Sequence, residues 1–473
     1  MKQLNRETAN LPASRPVKVL QFGEGNFLRG FVDWIIDILN EQTDFNGNVE
    51  IVQPLSQGIV HMLNEQDGLY HVLLEGLQGG KPTRESRLIS CVSGALNPYD
   101  DYQAYLQRGE NPDLQFIISN TTEAGIAFDE ADRNMDTLPN SFPGKLTALL
   151  YHRFKHFNGA ADKGLAMIPC ELIEKNGENL KKTVLQFAAH WNLPSEFTAW
   201  INNSNSFCNT LVDRIVPGYP RDTIKEIQEE LGYEDKLVVK AEPFHLWVIE
   251  APEAVRAAFP TEKAGLQVLF APDLTPYRTR KVRILNGAHT TLVPVAYLHG
   301  LRTVRESVED EKVGKFLREA IFEEIIPTLD LSKEELEQFA NDVIERFQNP
   351  YIRHELLSIA LNSVSKYKVR VLPSVLEYHK RKGQLPERLL HSLAALILFY
   401  KGEWNGEQIP LNDTPEVLSF FQNAWEKEAE QEVVKTVLAN EDFWGTDLTK
   451  IDGFTEKVTE QLQQLQNTAV QAK

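Results

Sequence analysis

The spacing of hydrophobic positions changes about half-way along the chain. In the first half, short runs of consecutive apolar residues alternate with stretches in which apolar residues recur every three or four positions. The runs predict strands buried on both faces, and the recurring stretches predict amphipathic helices. Strands are expected at 17–22, 49–52, 70–74, 114–119 and 165–169, and helices at 27–39 and 143–157. Such alternation predicts βαβ units and a doubly wound parallel sheet. From about residue 280 the strand pattern fades, and helices are expected at 306–326, 333–347, 386–400 and 414–439. The fold class is therefore α/β: a parallel-sheet domain over 1–270, then a mostly α-helical domain over 271–473. The division falls where Phe270-Ala-Pro-Asp-Leu-Thr-Pro276-Tyr-Arg-Thr-Arg-Lys281 supplies two prolines and several polar residues.

Composition narrows the class. A chain of 473 residues exceeds what one core usually serves. No segment approaches the roughly 18 uninterrupted apolar residues of a membrane span, so no membrane partner is expected. The balance of 67 acidic against 49 basic residues gives a net charge of -18, which repels phosphate backbones and argues against nucleic acid. The N-terminal run MKQLNRETANLPASRP has neither a signal's apolar stretch nor a transit peptide's acid-poor character. Cys91, Cys170 and Cys208 are widely spaced and form no C-x-x-C, so reduced thiols and a cytoplasmic location are expected.

The first strand runs into a glycine turn and then a helix. Val19-Leu20-Gln21-Phe22 is followed by Gly23-Glu24-Gly25-Asn26-Phe27-Leu28-Arg29-Gly30. Gly23 suits the tight turn, and Gly25 lets backbone approach a pyrophosphate lying at the helix's positive end. Arg29 is placed to add a positive charge. The third glycine of the usual fingerprint is displaced: Leu28 holds its position and Gly30 follows two residues later. A ligand-free βα turn has the same spelling. The acid that usually ends the second strand and binds the adenosine ribose is also absent, because 49–52 is followed by Gln53. No basic pair stands there for a 2′-phosphate, which favours NAD.

A second cluster of polar groups follows the domain boundary. Lys281-Val-Arg-Ile-Leu-Asn286-Gly-Ala-His289 carries three groups suited to ketone reduction. A desolvated lysine supplies the proton, an asparagine amide donates to the developing oxyanion, and a histidine orients the substrate. On an ideal helix Asn286 lies about 140° and His289 about 80° around from Lys281, with roughly 12 Å between the outer two. One broad face holds them, but at a long reach. The same residues equally describe a solvated Arg278-Thr-Arg-Lys281 run and a core histidine.

Tyr151-His-Arg-Phe-Lys155 and Tyr378-His-Lys-Arg-Lys382 match the Y-x-x-x-K spacing of short-chain dehydrogenases, yet the T-G-x-x-x-G-x-G turn that accompanies it is missing. We attribute both to chance in lysine-rich helices. There is no G-x-S-x-G, H-E-x-x-H or Walker loop, and no His/Cys cluster with zinc spacing, so no metal site is expected.

The glycine loop and the gapless K-x4-N-x2-H of Lys281, Asn286 and His289 together resemble the mannitol dehydrogenase family of polyol-specific long-chain dehydrogenases. Further matching blocks begin at Ser119-Asn-Thr-Thr-Glu-Ala-Gly125, Pro169-Cys-Glu-Leu-Ile-Glu-Lys-Asn-Gly177, Asn209-Thr-Leu-Val-Asp-Arg-Ile-Val-Pro217, Glu242-Pro-Phe-His-Leu-Trp-Val-Ile249 and Arg346-Phe-Gln-Asn-Pro350, so the resemblance spans nearly the whole chain.

It implies an N-terminal Rossmann-type domain, a helical C-terminal domain, NAD as cofactor and catalysis without metal. The blocks are closest to the branch that interconverts D-tagaturonate and D-altronate in hexuronate breakdown, an anionic sugar acid being the substrate. Fructuronate reduction and mannitol oxidation are the neighbouring activities, and a nucleotide-binding protein without chemistry is the reading of another class.

By the resemblance Lys281 is the general acid/base, Asn286 an oxyanion donor, His289 a substrate-positioning group and Asn176 a second oxyanion donor. Cys170-Glu-Leu172 and Ser358-Ile-Ala360 stand where mannitol-type relatives have Cys-Asp-Asn and Arg-Ile-Ala. A different substrate is thereby implied, with Lys366 or Arg370 facing its carboxylate; a solvated basic helix face is the alternative.

Overall fold

The computed structural model describes residues 1–11, 15–122 and 124–471. Glu123, in the block that follows the fourth strand of the main sheet, lies outside the described residues. The chain divides into two compact units, Met1–Glu75 with Thr83–Leu274, and Gly76–Pro82 with Thr275–Lys473.

Six strands form the main sheet of the first unit: β1 (Val17–Phe22), β2 (Asn48–Val52), β3 (Val92–Leu96), β4 (Phe116–Ser119), β5 (Ala166–Pro169) and β6 (Ser206–Phe207). Their order is 3-2-1-4-5-6 and every pairing is parallel. This is the doubly wound dinucleotide-binding order, whose ligand crevice opens beyond the carboxyl ends of β1 and β4. Alternation along β1 sends Val19 into one core layer and Leu20 and Phe22 into the other.

The segment expected as a strand at 70–74 is one, extending over Tyr70–Gln78, but it lies outside the main sheet and pairs in parallel with Val239–Ala241. The place taken for it belongs to β3, whose Ser93-Gly94-Ala95 core hides the apolar signal. A further sheet pairs Asn209–Asp213 antiparallel to Leu246–Glu250.

The second unit is mainly helical. Residues 275–298 run as one continuous helix whose last part, Gly287–Leu298, is buried nearly all round and packs against Glu387–Phe399. Helix Lys333–Phe347 has the predicted bounds. The expected helix at 306–326 is interrupted at Asp310, which is extended and whose carboxylate accepts from the amides of Lys312 and Val313, starting a new helix. The expected 414–439 helix is likewise two, Pro415–Ala424 and Glu430–Leu438. No helix among the described residues is long and apolar enough to cross a membrane.

Candidate functional site

In the first unit the glycine turn sits where the strand order reverses. The Gly23 amide donates to Val52 O at 3.1 Å, and the Asn120 amide donates to Phe22 O at 3.1 Å, tying the ends of β1, β2 and β4. Gly23 has φ +126°, and a Cβ there would stand 3.1 Å from Leu28 and 3.2 Å from the Asn120 carbonyl. Only glycine suits that position. At Gly25, by contrast, a Cβ would meet nothing within 4 Å. The space beyond it belongs to a cavity of about 680 Å³ lined by Glu24, Gly25, Asn26, Ile59, Tyr219, Arg221 and Lys236, among others. A backbone left open toward a cavity of this size fits a nucleotide. Gly30 performs the third glycine's task from its displaced position, since a Cβ would lie 3.0 Å from Val239 and 3.1 Å from Val216.

Arg29 also lines this cavity, from beneath the turn. It is buried, and its guanidinium donates to Glu24 O (2.9 Å), Leu237 O (2.7 Å) and Asn26 Oδ1 (2.9 Å) while lying 5.2 Å from the Tyr70 ring. It braces the turn from within. Arg221 and Lys236 line the cavity as well, two cations that the sequence alone did not single out as site residues.

Beneath the turn lies a buried polar knot, also missed. Tyr70 donates to Asp33 Oδ2 at 2.6 Å, and Gln21 donates to Gly23 O at 3.1 Å and to Asp33 Oδ2 at 3.4 Å. Burial pushes the Asp33 carboxyl up to about 7, against the lowering effect of the Tyr70 and Gln21 hydrogen bonds. Asp33 ends a π-helical turn, Arg29–Asp33, inside the helix that begins at the glycine loop.

At the neighbouring strand ends, Glu171 accepts from Ser119 Oγ (3.0 Å), the Thr121 amide (2.9 Å) and Thr121 Oγ1 (3.0 Å), stitching β4 to β5. Asn176 is 1% exposed and its amide is engaged on every side. It donates to Pro169 O, Glu171 O, Thr210 O and Thr210 Oγ1, and accepts from the Gly177 and Thr210 amides. In this arrangement its N–H groups serve the backbone.

In the second unit, Lys281–Asn286 is π-helical, and the Gly287 amide reaches back five residues to Val282 O. A π turn spans i to i+5, so Lys281 and Asn286 stand one turn apart on the same side. The ideal α-helical splay is thereby reduced. The surrounding basic run is not a solvated face throughout: Arg280 is buried, 3.1 Å from Glu335 and 4.4 Å from the Phe339 ring centroid.

His289 follows on the α-helical part. Its ring stacks on Phe347 with centroids 4.1 Å apart and meets His354 edge-on at 5.1 Å. The Nε2 atom is buried without a hydrogen-bond partner, which a core histidine rarely tolerates. Burial, then His354, Arg346, Arg370 and Lys366, hold its pKa well below the usual histidine range, so the ring is neutral. Lys366 and Arg370 share one face of helix Ser363–Arg370, half-buried, and burial lowers the pKa of both. The Lys366 ammonium donates to Ile359 O at 2.8 Å.

Tyr151 packs edge-on against Phe197 at 5.2 Å, and Lys155 lies over the face of the tyrosine ring at 4.9 Å. The pair is part of a packed aromatic surface. Cys91, Cys170 and Cys208 are free and buried. No group of three or more His, Cys, Asp or Glu able to hold a metal ion occurs among the described residues.

Comparison with known proteins agrees with this architecture. The Mannitol dehydrogenase Rossmann domain matches residues 17–263, and the Mannitol dehydrogenase C-terminal domain matches 273–466. A protein of Phocaeicola vulgatus named Altronate oxidoreductase is 51% identical over 468 residues, covering 98% of both chains. One of the same name from Bacillus subtilis is 50% identical, covering 100% of this chain and 97% of its own.

Among solved structures, a D-sorbitol dehydrogenase in substrate-free form superposes with a TM-score of 0.80 at 22% identity, covering 99% of each chain. Pseudomonas fluorescens mannitol 2-dehydrogenase, seen in a ternary complex with NAD and D-mannitol, superposes with a TM-score of 0.66 at 23% identity, covering 100% of this chain and 98% of that one. These two likenesses establish the fold. With both domains matched and half of all residues shared with full-length relatives, the chain belongs to the mannitol dehydrogenase family, oxidoreductases acting on CH–OH groups with a Rossmann domain for a nucleotide cofactor.

Proposed function

We propose that this protein is an NAD-dependent reductase of a ketose acid, interconverting D-tagaturonate and D-altronate. The full-length relatives named Altronate oxidoreductase support that substrate pair. The observation that carries the reading is the company kept by His289. Its unpartnered Nε2 is buried, and the positive charges of Arg346, Arg370 and Lys366 act on the ring. A neutral polyol has no use for three cations, whereas a sugar carboxylate does.

The turn at Gly23 and Gly25, with the cations Arg221 and Lys236, would hold the dinucleotide's phosphates. When bound, NAD(H) exchanges a hydride with the carbinol carbon. The chain's own groups handle the oxygen. In the oxidative direction Lys281 takes the hydroxyl proton, and in reduction it returns one to the forming hydroxyl. The Asn286 amide donates to the same oxygen as negative charge develops. Neutral His289 offers Nε2 to a neighbouring hydroxyl, and Lys366 and Arg370 pair with the carboxylate. Asn176 enters this scheme as a brace joining β5 to Thr210, not as an oxyanion donor.

Mixing the protein with NADH and tagaturonate should consume NADH absorbance. Absence of consumption while NADH still binds rejects the substrate, and the same assay with fructuronate, or NADH formation from NAD and mannitol, then identifies it. Lys281→Ala should lose turnover about 10²–10⁴-fold while binding NADH normally. Survival of turnover rejects the lysine's role.

A further inference from the structure

A doubly wound site usually presents a carboxylate at the end of its second strand, where it accepts hydrogen bonds from the adenosine ribose hydroxyls. Here that position is Gln53, and its side chain is committed elsewhere. It is 3% exposed and its amide donates to Leu55 O at 2.9 Å, holding the segment after β2. The strand end therefore contributes no acceptor of the required charge.

A carboxylate nevertheless stands there. A Cβ built on Gly58 would collide with both the Glu24 carboxylate and the Gln53 side-chain amide. Glu24, reaching out from the glycine loop, thus places its acid against the same glycine that the strand-end Gln53 touches. Among the described residues lining the 680 Å³ cavity it is the one acid. Beside it Ile59 and Met62 provide an apolar wall, the surface an adenine ring requires at that end of the crevice.

We infer that Glu24 takes over the ribose-binding task of the missing strand-end acid and is the residue that selects NAD over NADP. The reading rests on the proposal that a dinucleotide occupies this cavity. Its logic is charge. A carboxylate accepts from two ribose hydroxyls, but it repels a 2′-phosphate held at hydrogen-bond distance. Arg29, Arg221 and Lys236, lining the same cavity, would otherwise welcome the extra phosphate. Glu24 is what opposes them.

Fluorescence titration with NADH and NADPH, with no sugar present, tests this. In the wild type NADH should bind the tighter. Glu24→Gln keeps the side chain's shape and its contact with Gly58 while removing the charge. It should weaken NADH and strengthen NADPH, so that the dissociation constant for NADPH divided by that for NADH falls by roughly tenfold or more, a change of ~1.4 kcal/mol.

Equal weakening of both ligands means that Glu24 only orders the loop, and overturns the proposal, as does an unchanged ratio. Thermal melting of the variant separates these results from misfolding, and Glu24→Asp should restore part of the preference if charge is the cause. A wild type that binds neither dinucleotide sinks the dehydrogenase reading itself, a distinct failure.

Discussion

His289 lies face to face on Phe347, with ring centroids 4.1 Å apart and planes 21° from parallel. The stack fixes the imidazole's plane while leaving Nε2 without a protein partner. Phe347→Leu retains apolar volume but loses the flat surface. We expect kcat/KM for the sugar acid to fall about tenfold, within the range seen when a positioned catalytic group is loosened, with NADH affinity unchanged. An unaltered kcat/KM would show that the stack does not position the ring.

The cations around that ring give a second prediction. Arg370→Gln and Lys366→Met should each raise KM for the anionic substrate by roughly tenfold or more, the scale of one charge-assisted hydrogen bond, with a smaller effect on kcat. Steady-state kinetics separates the two. An unchanged KM in both variants would return these residues to an ordinary basic helix face.

The two loop glycines should respond oppositely to one methyl group. Gly25→Ala meets open space, so melting temperature should hold while dinucleotide affinity falls as the Cβ enters the cavity. Gly30→Ala forces Val216 and Val239 apart, and overpacking of this kind costs about 1–3 kcal/mol. Calorimetry and NADH titration on both variants check the contrast.

Asp33 gives the protein a pH-dependent liability. Its folded carboxyl titrates near 7 against 3.8 for an unperturbed one. Between those values the folded state holds a proton that the unfolded chain releases, so this group lowers stability as pH rises through the window. Asp33→Asn mimics the protonated form and keeps the Tyr70 neighbour. Its melting temperature relative to wild type should gain progressively from about pH 4 to pH 7 and level off above. A constant difference across that range would contradict the assignment.

Asn176→Ala removes an amide that bridges Pro169, Glu171 and Thr210. Leaving those buried groups unmatched costs about 1–3 kcal/mol. A loss of turnover without any loss of stability would instead favour a direct role at the oxyanion.

Much of the molecule is legible in the chain, because local patterns carry it. The apolar run 17–22, the glycines that follow and the helical spacing after residue 280 each depend on neighbours in sequence, and each appears as expected. The K-x4-N-x2-H run is legible for the same reason, being a contiguous motif. Strands such as β3, whose Ser93 and Gly94 dilute the apolar signal, were hidden, and Tyr70–Gln78 was assigned to the wrong sheet because strand identity does not specify a partner.

Other features required the folded chain. The π turn at Lys281–Asn286 is invisible to a helical wheel, since hydrogen-bond register is set by packing and not by residue spacing. Arg29 could be counted as a charge in sequence, but which acceptors it meets depends on Leu237, more than two hundred residues away. The carboxylate beside Gln53 comes from the adjacent loop, and the cations around His289 come from two other helices. Sequence alone determined which chemical groups are present and which elements carry them. Tertiary structure decided which are spent on the protein's own backbone and which are left facing a ligand, because that choice depends on distances between segments remote along the chain.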